Sequence, residues 1–235
     1  MNNQTTQEME QARKYYREER IPKEALAIMD ADTERLAATK LAERALPQGA
    51  VAPDFILPDA QGKPVRLQSL QRRGPVVVVF YRGGWCPYCN IHLRGFQRHL
   101  PELKALGAQI VAISPQLPDN SLSTQEKDEL EYPVLSDLGN KIAHKFGVAF
   151  CLSDPLVKLY ESFGHPLLEA NGKEGEAELP VPATFVIDTN GVVRNSHVDV
   201  DYTRRLDPDD VIQAIKKYQR ITIKPSKDLE HHNAV

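Results

Sequence analysis

Hydrophobic and polar positions change their pattern at about residue 50. Beyond it, two continuous apolar and β-branched runs, residues 76–81 and 109–114, predict central strands that are covered on both faces. The amphipathic stretch between them, from Pro87 to about Leu106, predicts a long helix. Alternation of strands with helices predicts an α/β fold with a central mixed β-sheet flanked by helices.

Two hairpins and one long loop complete this region. Apolar segments flank turn residues in 55–67 and again in 183–194, where Asn190-Gly191 is a typical hairpin turn. Residues 150–181 are rich in Gly, Pro and Glu, and we interpret them as an irregular loop near the functional site.

The first 46 residues have a different character. They are charged and alanine-rich, with apolar residues at helical spacing and Pro22 dividing them into two parts. We predict an N-terminal helical extension over 1–46, a main domain over 47–221 and a flexible tail over 222–235. The extension could pack on the main domain, mediate a homodimer or remain a mobile leader.

Composition excludes several classes of function. The 235-residue chain is 41% hydrophobic and 26% charged, with a net charge of −3, so no strong field attracts nucleic acid or an anionic membrane. No apolar run approaches the roughly 20 residues of a membrane helix, and residues 1–10 lack a signal-peptide pattern. We therefore expect a cytoplasmic protein without nucleic-acid or membrane partners.

The candidate chemistry lies in one C-x-x-C motif. The chain has three cysteines, too few for a secreted disulfide framework, and two of them are Cys86 and Cys89. In a reducing compartment, this spacing indicates either redox chemistry or half of a metal site.

The position of the motif favours redox chemistry. We predict Cys86 at the N-cap of the long helix, Pro87 at its first position and Cys89 at its third. Both sulfurs would then lie near unpaired backbone N–H groups and the positive end of the helix dipole, which lowers a thiol pKa. Arg82 could add a positive charge, and the glycines at 83–84 permit a sharp turn that leaves the sulfur approachable.

Three segments, residues 52–55, 80–89 and 182–188, resemble the peroxiredoxin-like proteins of the alkyl hydroperoxide reductase and thiol-specific antioxidant family. The tetrad Cys86-Pro87-Tyr88-Cys89 is also similar to the active-site motif of glutaredoxins. The resemblance, which extends over about residues 50–220, implies a thioredoxin-like fold and a thiol-dependent peroxidase that needs no metal or organic cofactor.

The chain departs from the family pattern at three positions. The resemblance aligns Cys89 with the peroxidatic cysteine, Cys86 with a threonine that helps bind peroxide, and Arg82 with a proline. In the strand motif that contains Thr184, Pro182 replaces an arginine that polarises the peroxide in typical members. The loop at Pro182 instead resembles the cis-proline loop that faces the dithiol in thioredoxins.

Other residues have competing interpretations. His92 could be a third zinc ligand with the two cysteines, although we interpret it, like His99 and His144, as a surface residue. Cys151 could be a distant resolving thiol, but a lone cysteine beside an aromatic residue is more typical of a buried apolar position.

The residues around the dithiol also have alternative interpretations. Trp85 is expected to pack beside the sulfurs and shape partner docking, or simply to join the core. Arg82 is either a neighbour of the thiolate or a solvated strand end. The polar segment 202–205 is interpreted as a solvated loop before the last helix.

Our main hypothesis is a peroxidase in which Cys89 attacks a hydroperoxide and Cys86 resolves the product as a disulfide, with thioredoxin, glutaredoxin or glutathione as the reductant. The alternative is a thioredoxin-like thiol–disulfide oxidoreductase in which Cys86 attacks and Cys89 resolves. A third hypothesis is a non-catalytic thioredoxin-fold adaptor or zinc-bound module.

Overall fold

A computed structural model describes residues 3–172 and 177–223. In chain order, its α-helices are α1 (Gln4–Tyr15), α2 (Lys23–Ala38), α3 (Leu41–Arg44), α4 (Leu67–Gln71), α5 (Pro87–Ala105), α6 (Pro118–Lys127), α7 (Lys141–Lys145), α8 (Asp154–Ser162), α9 (Leu167–Ala170) and α10 (Pro208–Ile223). Its strands are β1 (Ile56–Pro58), β2 (Pro64–Arg66), β3 (Val76–Phe80), β4 (Gln109–Ser114), β5 (Val134–Ser136), β6 (Ala149–Cys151), β7 (Glu178–Pro180), β8 (Ala183–Ile187) and β9 (Val193–Val198). A π-helical turn (Tyr16–Arg20) and a 3-10 turn (Leu138–Asn140) lie between helices.

The central sheet is mixed, as predicted. Its strand order is β5-β4-β3-β8-β9, with β3 parallel to β4 and antiparallel to β8. Both predicted hairpins are confirmed as the antiparallel pairs β1–β2 and β8–β9. The tail predicted for 222–235 lies outside the described residues except at 222 and 223, which end α10.

Strand β3 shows why its sequence is uniformly apolar. Val77 and Val79 face the core beneath α5 and α10, whereas Val76 and Val78 face the opposite core, which contains Phe146. All five residues of the strand are at most 1% exposed. Helices therefore cover both faces of the sheet, and the C-x-x-C motif follows shortly after the end of this buried strand.

Helix α1 of the N-terminal extension is docked on α5. Met9 joins the core, and the side chain of Thr5 lies over Gly95, where a Cβ atom would be only 2.5 Å from the Thr5 Oγ1. Asp207 Oδ2 accepts hydrogen bonds from Thr6 N and Thr6 Oγ1 at 2.9 and 2.7 Å. The carboxylate thus caps the first turn of α1 and ties it to the start of α10.

Helix α2 is anchored on α8. Met29 is buried there, and Asp32 Oδ1 accepts a hydrogen bond from the Ser153 backbone at 3.1 Å. Arg17 donates two 2.8 Å hydrogen bonds to Asp30, which join the π-helical turn to α2. The extension is therefore helical and packed on the main domain, not a mobile leader, and its role in a homodimer remains a prediction.

The prediction of an irregular loop over 150–181 was wrong for the residues described. The segment contributes most of β6 and all of α8, α9 and β7. Pro155, which we interpreted as a loop residue, lies in the first turn of α8, where proline is well accommodated because its missing N–H would have no partner. No described helix combines the length and the apolar character needed to cross a bilayer.

Candidate active site

The dithiol lies where β3 meets α5. Cys86 is the N-cap of α5, Pro87 occupies the first turn and Cys89 the third position, as predicted. Both cysteines are free and only 1% exposed, and their side chains are close enough for each to shift the pKa of the other. The two sulfurs are therefore close enough to react with one another.

The turn before the helix is fixed by polar contacts. Gly83 has a φ of +145°, and a Cβ there would lie 2.5 Å from the indole nitrogen of Trp85. Gly84 N donates to Gln116 Oε1 at 2.7 Å, while Asn90 Nδ2 donates to Gly84 O at 2.9 Å. Glycine is thus required at position 83 both by its conformation and by the close approach of Trp85.

Cys89 has the environment of a stabilised thiolate. Burial raises its pKa, but three contacts outweigh that effect and lower the value to about 5: the hydrogen bond from Cys86, the positive charge of Arg205 and a hydrogen bond with the Arg82 backbone. The guanidinium Nη2 of Arg205 lies 3.7 Å from Cys89 Sγ. Cys89 is therefore ionised at neutral pH, which makes it the nucleophile of the pair.

Cys86 has the opposite character. Its pKa is raised by burial, by its hydrogen bond to Cys89 and by the negative charge of Cys89, which outweigh the attraction of Arg82 and Arg205. The prediction that the helix N-terminus lowers both pKa values was therefore wrong for Cys86. Two adjacent sulfurs cannot both ionise easily, and the Arg205 guanidinium, 3.7 Å from Cys89 Sγ, favours ionisation of Cys89.

Arg82 is a buried neighbour of the dithiol and not a solvated strand end. It is 3% exposed, and its guanidinium carbon lies 4.9, 5.2 and 4.6 Å from the ring centroids of Trp85, Tyr160 and Tyr202. Its Nη2 donates to Tyr160 Oη at 2.5 Å. Three aromatic rings thus stabilise a buried positive charge next to the sulfurs.

Segment 202–205 was predicted to be a solvated loop, and this prediction was wrong. Tyr202 stacks on Tyr88 and on Arg82, and Arg205 reaches Cys89. Asp201 Oδ1 fixes the turn by accepting hydrogen bonds from the backbone and hydroxyl of Thr203. The sequence contains two adjacent arginines here but no signal that tells which one points inward.

The aromatic candidates of the motif lie around the dithiol. Trp85 is partly buried and stacks on Tyr160 and His165, with centroid distances of 5.1 and 5.3 Å. Tyr88 is 4% exposed and packs against Tyr16 of the extension. Trp85 and Tyr88 line one cavity with Cys86, so Trp85 lies beside the dithiol, and its role in partner docking remains a prediction.

Pro182 and Thr184 lie at the start of β8, the strand that pairs with β3. No described peptide bond is cis, so the predicted cis-proline at Pro182 was wrong. Pro182 is buried at the entrance to β8 and shares a small cavity with Arg82. Thr184 is 1% exposed and pairs with Val79 of β3. Both residues support the sheet behind the site.

A cavity of about 470 Å³ lies over Cys86. One wall comes from the N-terminal extension, and the other walls carry the aromatic residues around Arg82. Cys86 lines this cavity, whereas Cys89 does not. The extension, for which the sequence predicted only a helix, is therefore part of the site.

The candidate third zinc ligand, His92, is engaged in another contact. His92 is 3% exposed, and its Nε2 lies 2.9 Å from the Leu206 carbonyl oxygen. Burial and the charge of Arg205 lower its pKa to about 3. The surface interpretation of His92 was thus wrong. Across residues 3–172 and 177–223, no group of three potential ligands has metal-binding geometry.

Cys151 differs from one of the two interpretations offered for it. It lies in β6 with intermediate exposure, and its thiol lies 3.6 Å from Glu178 Oε1. The interpretation as a fully buried apolar residue was therefore wrong. Cys151 does not line the cavity over Cys86, and its role as a distant resolving thiol remains a prediction.

Comparisons with known proteins identify the family of the chain. The AhpC/TSA family model matches residues 48–196. Peroxiredoxin Q of Sedum lineare is 31% identical over 147 residues, or 63% of this chain and 66% of that protein. Peroxiredoxin Q of Triticum aestivum is 30% identical over 175 residues, or 74% of this chain and 70% of that protein. The chain thus spans only about two thirds of these two relatives.

A solved structure extends the comparison to the fold. Peroxidoxin BcpB of Mycobacterium tuberculosis superposes with a TM-score of 0.58 and 26% identity, covering 77% of this chain and 99% of that one. The family match ends before Arg205 and begins after the N-terminal helices. Both the second guanidinium and one wall of the cavity therefore lie outside the matched region. By its sequence and its fold, the chain belongs to the AhpC/TSA family.

Proposed function

We propose that this protein is a thiol-dependent peroxidase that reduces hydroperoxides at Cys89 and resolves the product with Cys86. The observation that supports this most directly is the stabilised thiolate of Cys89, hydrogen-bonded to a second thiol, in a chain of the AhpC/TSA family. We further propose a cytoplasmic location, where a reducing environment returns the dithiol to its thiol state.

The reaction follows from the different states of the two sulfurs. The Cys89 thiolate attacks the terminal oxygen of the hydroperoxide, and the O–O bond breaks. The departing alkoxide or hydroxide takes a proton from water and leaves as alcohol or water, so that Cys89 becomes a sulfenic acid. The thiol of Cys86 then attacks the Cys89 sulfur, water leaves, and a disulfide forms. Two electrons from a thiol reductant, such as thioredoxin, glutaredoxin or glutathione, restore the dithiol.

Arg205 supplies a charge that the family pattern would place elsewhere. Pro182 stands where typical members carry the peroxide-polarising arginine, but the Arg205 guanidinium lies 3.7 Å from Cys89 Sγ. A fixed positive charge at that distance stabilises both the attacking thiolate and the negative charge that develops on the leaving oxygen.

Single-cysteine variants test the proposal. In stopped-flow measurements, Cys89→Ser should abolish rapid peroxide consumption, while Cys86→Ser should retain one turnover and then stop. Cys151→Ser is the matched control and should behave as the wild type. Peroxide reactivity no greater than that of free cysteine would reject the peroxidase.

A second function is favoured by one observation. Cys86, and not Cys89, lines the cavity, so an incoming disulfide would meet Cys86 first. A thiol–disulfide oxidoreductase would then begin with attack by Cys86 and end with release by Cys89. Rapid reduction of a model disulfide that is lost in Cys86→Ser, combined with slow peroxide consumption, would select this function.

A further inference from the structure

We propose that the cavity over Cys86 binds a small anionic thiol, which reduces the Cys86–Cys89 disulfide directly. The inference rests on the proposed function, because it names the reductant of the same dithiol. Among the reductants that the sequence suggests, it favours a tripeptide-sized thiol of the glutathione type over a protein dithiol.

The cavity gives a small molecule access to Cys86. Cys86 is 1% exposed and lies against a cavity of about 470 Å³, which falls in the range of about 300–1,000 Å³ that is typical of small-molecule sites. Tyr16, Ile21 and Met29 of the N-terminal extension form one wall. The Arg17–Asp30 pair, with two 2.8 Å hydrogen bonds, holds that wall in place. A protein partner would have to displace the wall, whereas a small thiol would not.

The residues that line the cavity carry positive charge. Arg82 lines the cavity, is 3% exposed, and its Nε has no hydrogen-bond partner among the described residues. Arg20 also lines the cavity, is exposed, and forms no ion pair with any described residue. Among the described residues that line the cavity, none is an aspartate or a glutamate. Two guanidinium groups without a carboxylate favour a ligand that carries negative charge.

The positions of the two sulfurs set the direction of the thiol–disulfide exchange. The incoming thiolate attacks the Cys86 sulfur, because that sulfur faces the cavity; a new S–S bond forms, the Cys86–Cys89 bond breaks, and the electron pair leaves on Cys89. The Arg205 guanidinium stabilises that leaving thiolate. A second molecule of the thiol then attacks the sulfur of the bound thiol, releases its disulfide and returns Cys86 to the thiol. Two thiols are oxidised and one protein disulfide is reduced.

A series of thiols of similar size tests the charge preference. The full-length protein is oxidised with diamide, so that the test does not depend on peroxide, and its reduction is followed through the fluorescence of Trp85, the only tryptophan in the sequence. The probes are 3-mercaptopropionate, 2-mercaptoethanol and cysteamine, compared at equal thiolate concentrations, together with glutathione. We expect the anionic probe to react about tenfold faster than the cationic one at low ionic strength.

Charge reversal provides the matched comparison. Arg20→Glu should remove the preference for the anionic probe, while Arg72→Glu, which changes an exposed arginine that lines none of the cavities described, should retain it. Equal rates for all three charges, or reduction by thioredoxin faster than by any small thiol, would overturn the proposal. A protein that shows the charge preference but does not react with peroxide would reject the peroxidase and retain the thiol site.

Discussion

Replacement of Arg205 by methionine removes the charge nearest to the Cys89 sulfur while keeping a side chain of similar length. Unit charges separated by 3.7 Å attract by roughly 1 kcal/mol at the dielectric constant of water and by roughly 4 kcal/mol at an effective value of about 20. Arg205 is half-buried, so its effect lies between these limits. The variant should therefore raise the pKa of Cys89 from about 5 to between about 6 and 8.

The assay is the pH dependence of alkylation by iodoacetamide, because only the thiolate reacts. Mass spectrometry of the labelled peptide confirms that the measured rate belongs to Cys89. The wild-type rate should fall at about pH 5, whereas the midpoint for Arg205→Met should lie higher and its rate at pH 6 should be several-fold lower. Arg205→Lys should restore much of the effect, since it keeps the charge.

Arg204 provides the control. It is exposed and pairs with Asp199 and Asp201 on the outside of the same turn. Arg204→Met should leave the midpoint of Cys89 unchanged. If Arg205→Met folds normally and its midpoint stays at about pH 5, the reasoning that assigns the ionisation of Cys89 to this guanidinium is refuted.

Three further predictions concern stability. Because the folded protein lowers the pKa of Cys89 from an ordinary 9.0 to about 5, ionisation of Cys89 stabilises the reduced protein fully above pH 9, and this contribution is lost as the pH falls towards 5. Cys89→Ser should remove up to about 1.4 kcal/mol per pH unit from the pH dependence of the unfolding free energy; the same pH dependence of melting in wild type and variant would contradict this prediction. Gly95→Ala should destabilise the protein by roughly 1–3 kcal/mol in urea titrations, because its Cβ would collide with Thr5. Adding Thr5→Ala should restore part of the lost stability. A stabilising Gly95→Ala would show that α1 moves away from α5 without cost. Asp207→Ala, which deletes both hydrogen bonds to Thr6, should cost about 1–2 kcal/mol and speed proteolysis at α1, unless α1 is held without this cap.

The sequence predicts those features that depend on local pattern. The uniformly apolar run in β3 gives a strand buried on both faces, and the Cys86-Pro87 step gives a helix that starts at the dithiol. Asp207 before Pro208 correctly marks the start of α10. These predictions are correct because each depends on neighbouring residues and on a hydrophobic periodicity that matches a strand or a helix.

The parts that sequence reasoning missed depend on contacts between distant residues. Arg205 reaches a sulfur 116 positions earlier in the chain, and its neighbour Arg204 has the same chemistry but points outward. Tyr160 was assigned to a loop because prolines and glycines surround it, although it bonds to Arg82 from a helix. The raised pKa of Cys86 follows from burial and from competition with the adjacent Cys89 sulfur, neither of which the spacing of the motif reveals.

The most direct test of the central claim is to identify which sulfur a hydroperoxide oxidises. The reduced protein is treated with one equivalent of hydrogen peroxide in the presence of dimedone, and its peptides are mapped by mass spectrometry. We predict a Cys86–Cys89 disulfide in the wild type and a dimedone adduct on Cys89 in Cys86→Ser. An adduct on Cys86 or Cys151, or an unmodified dithiol after the peroxide has been consumed, would contradict it.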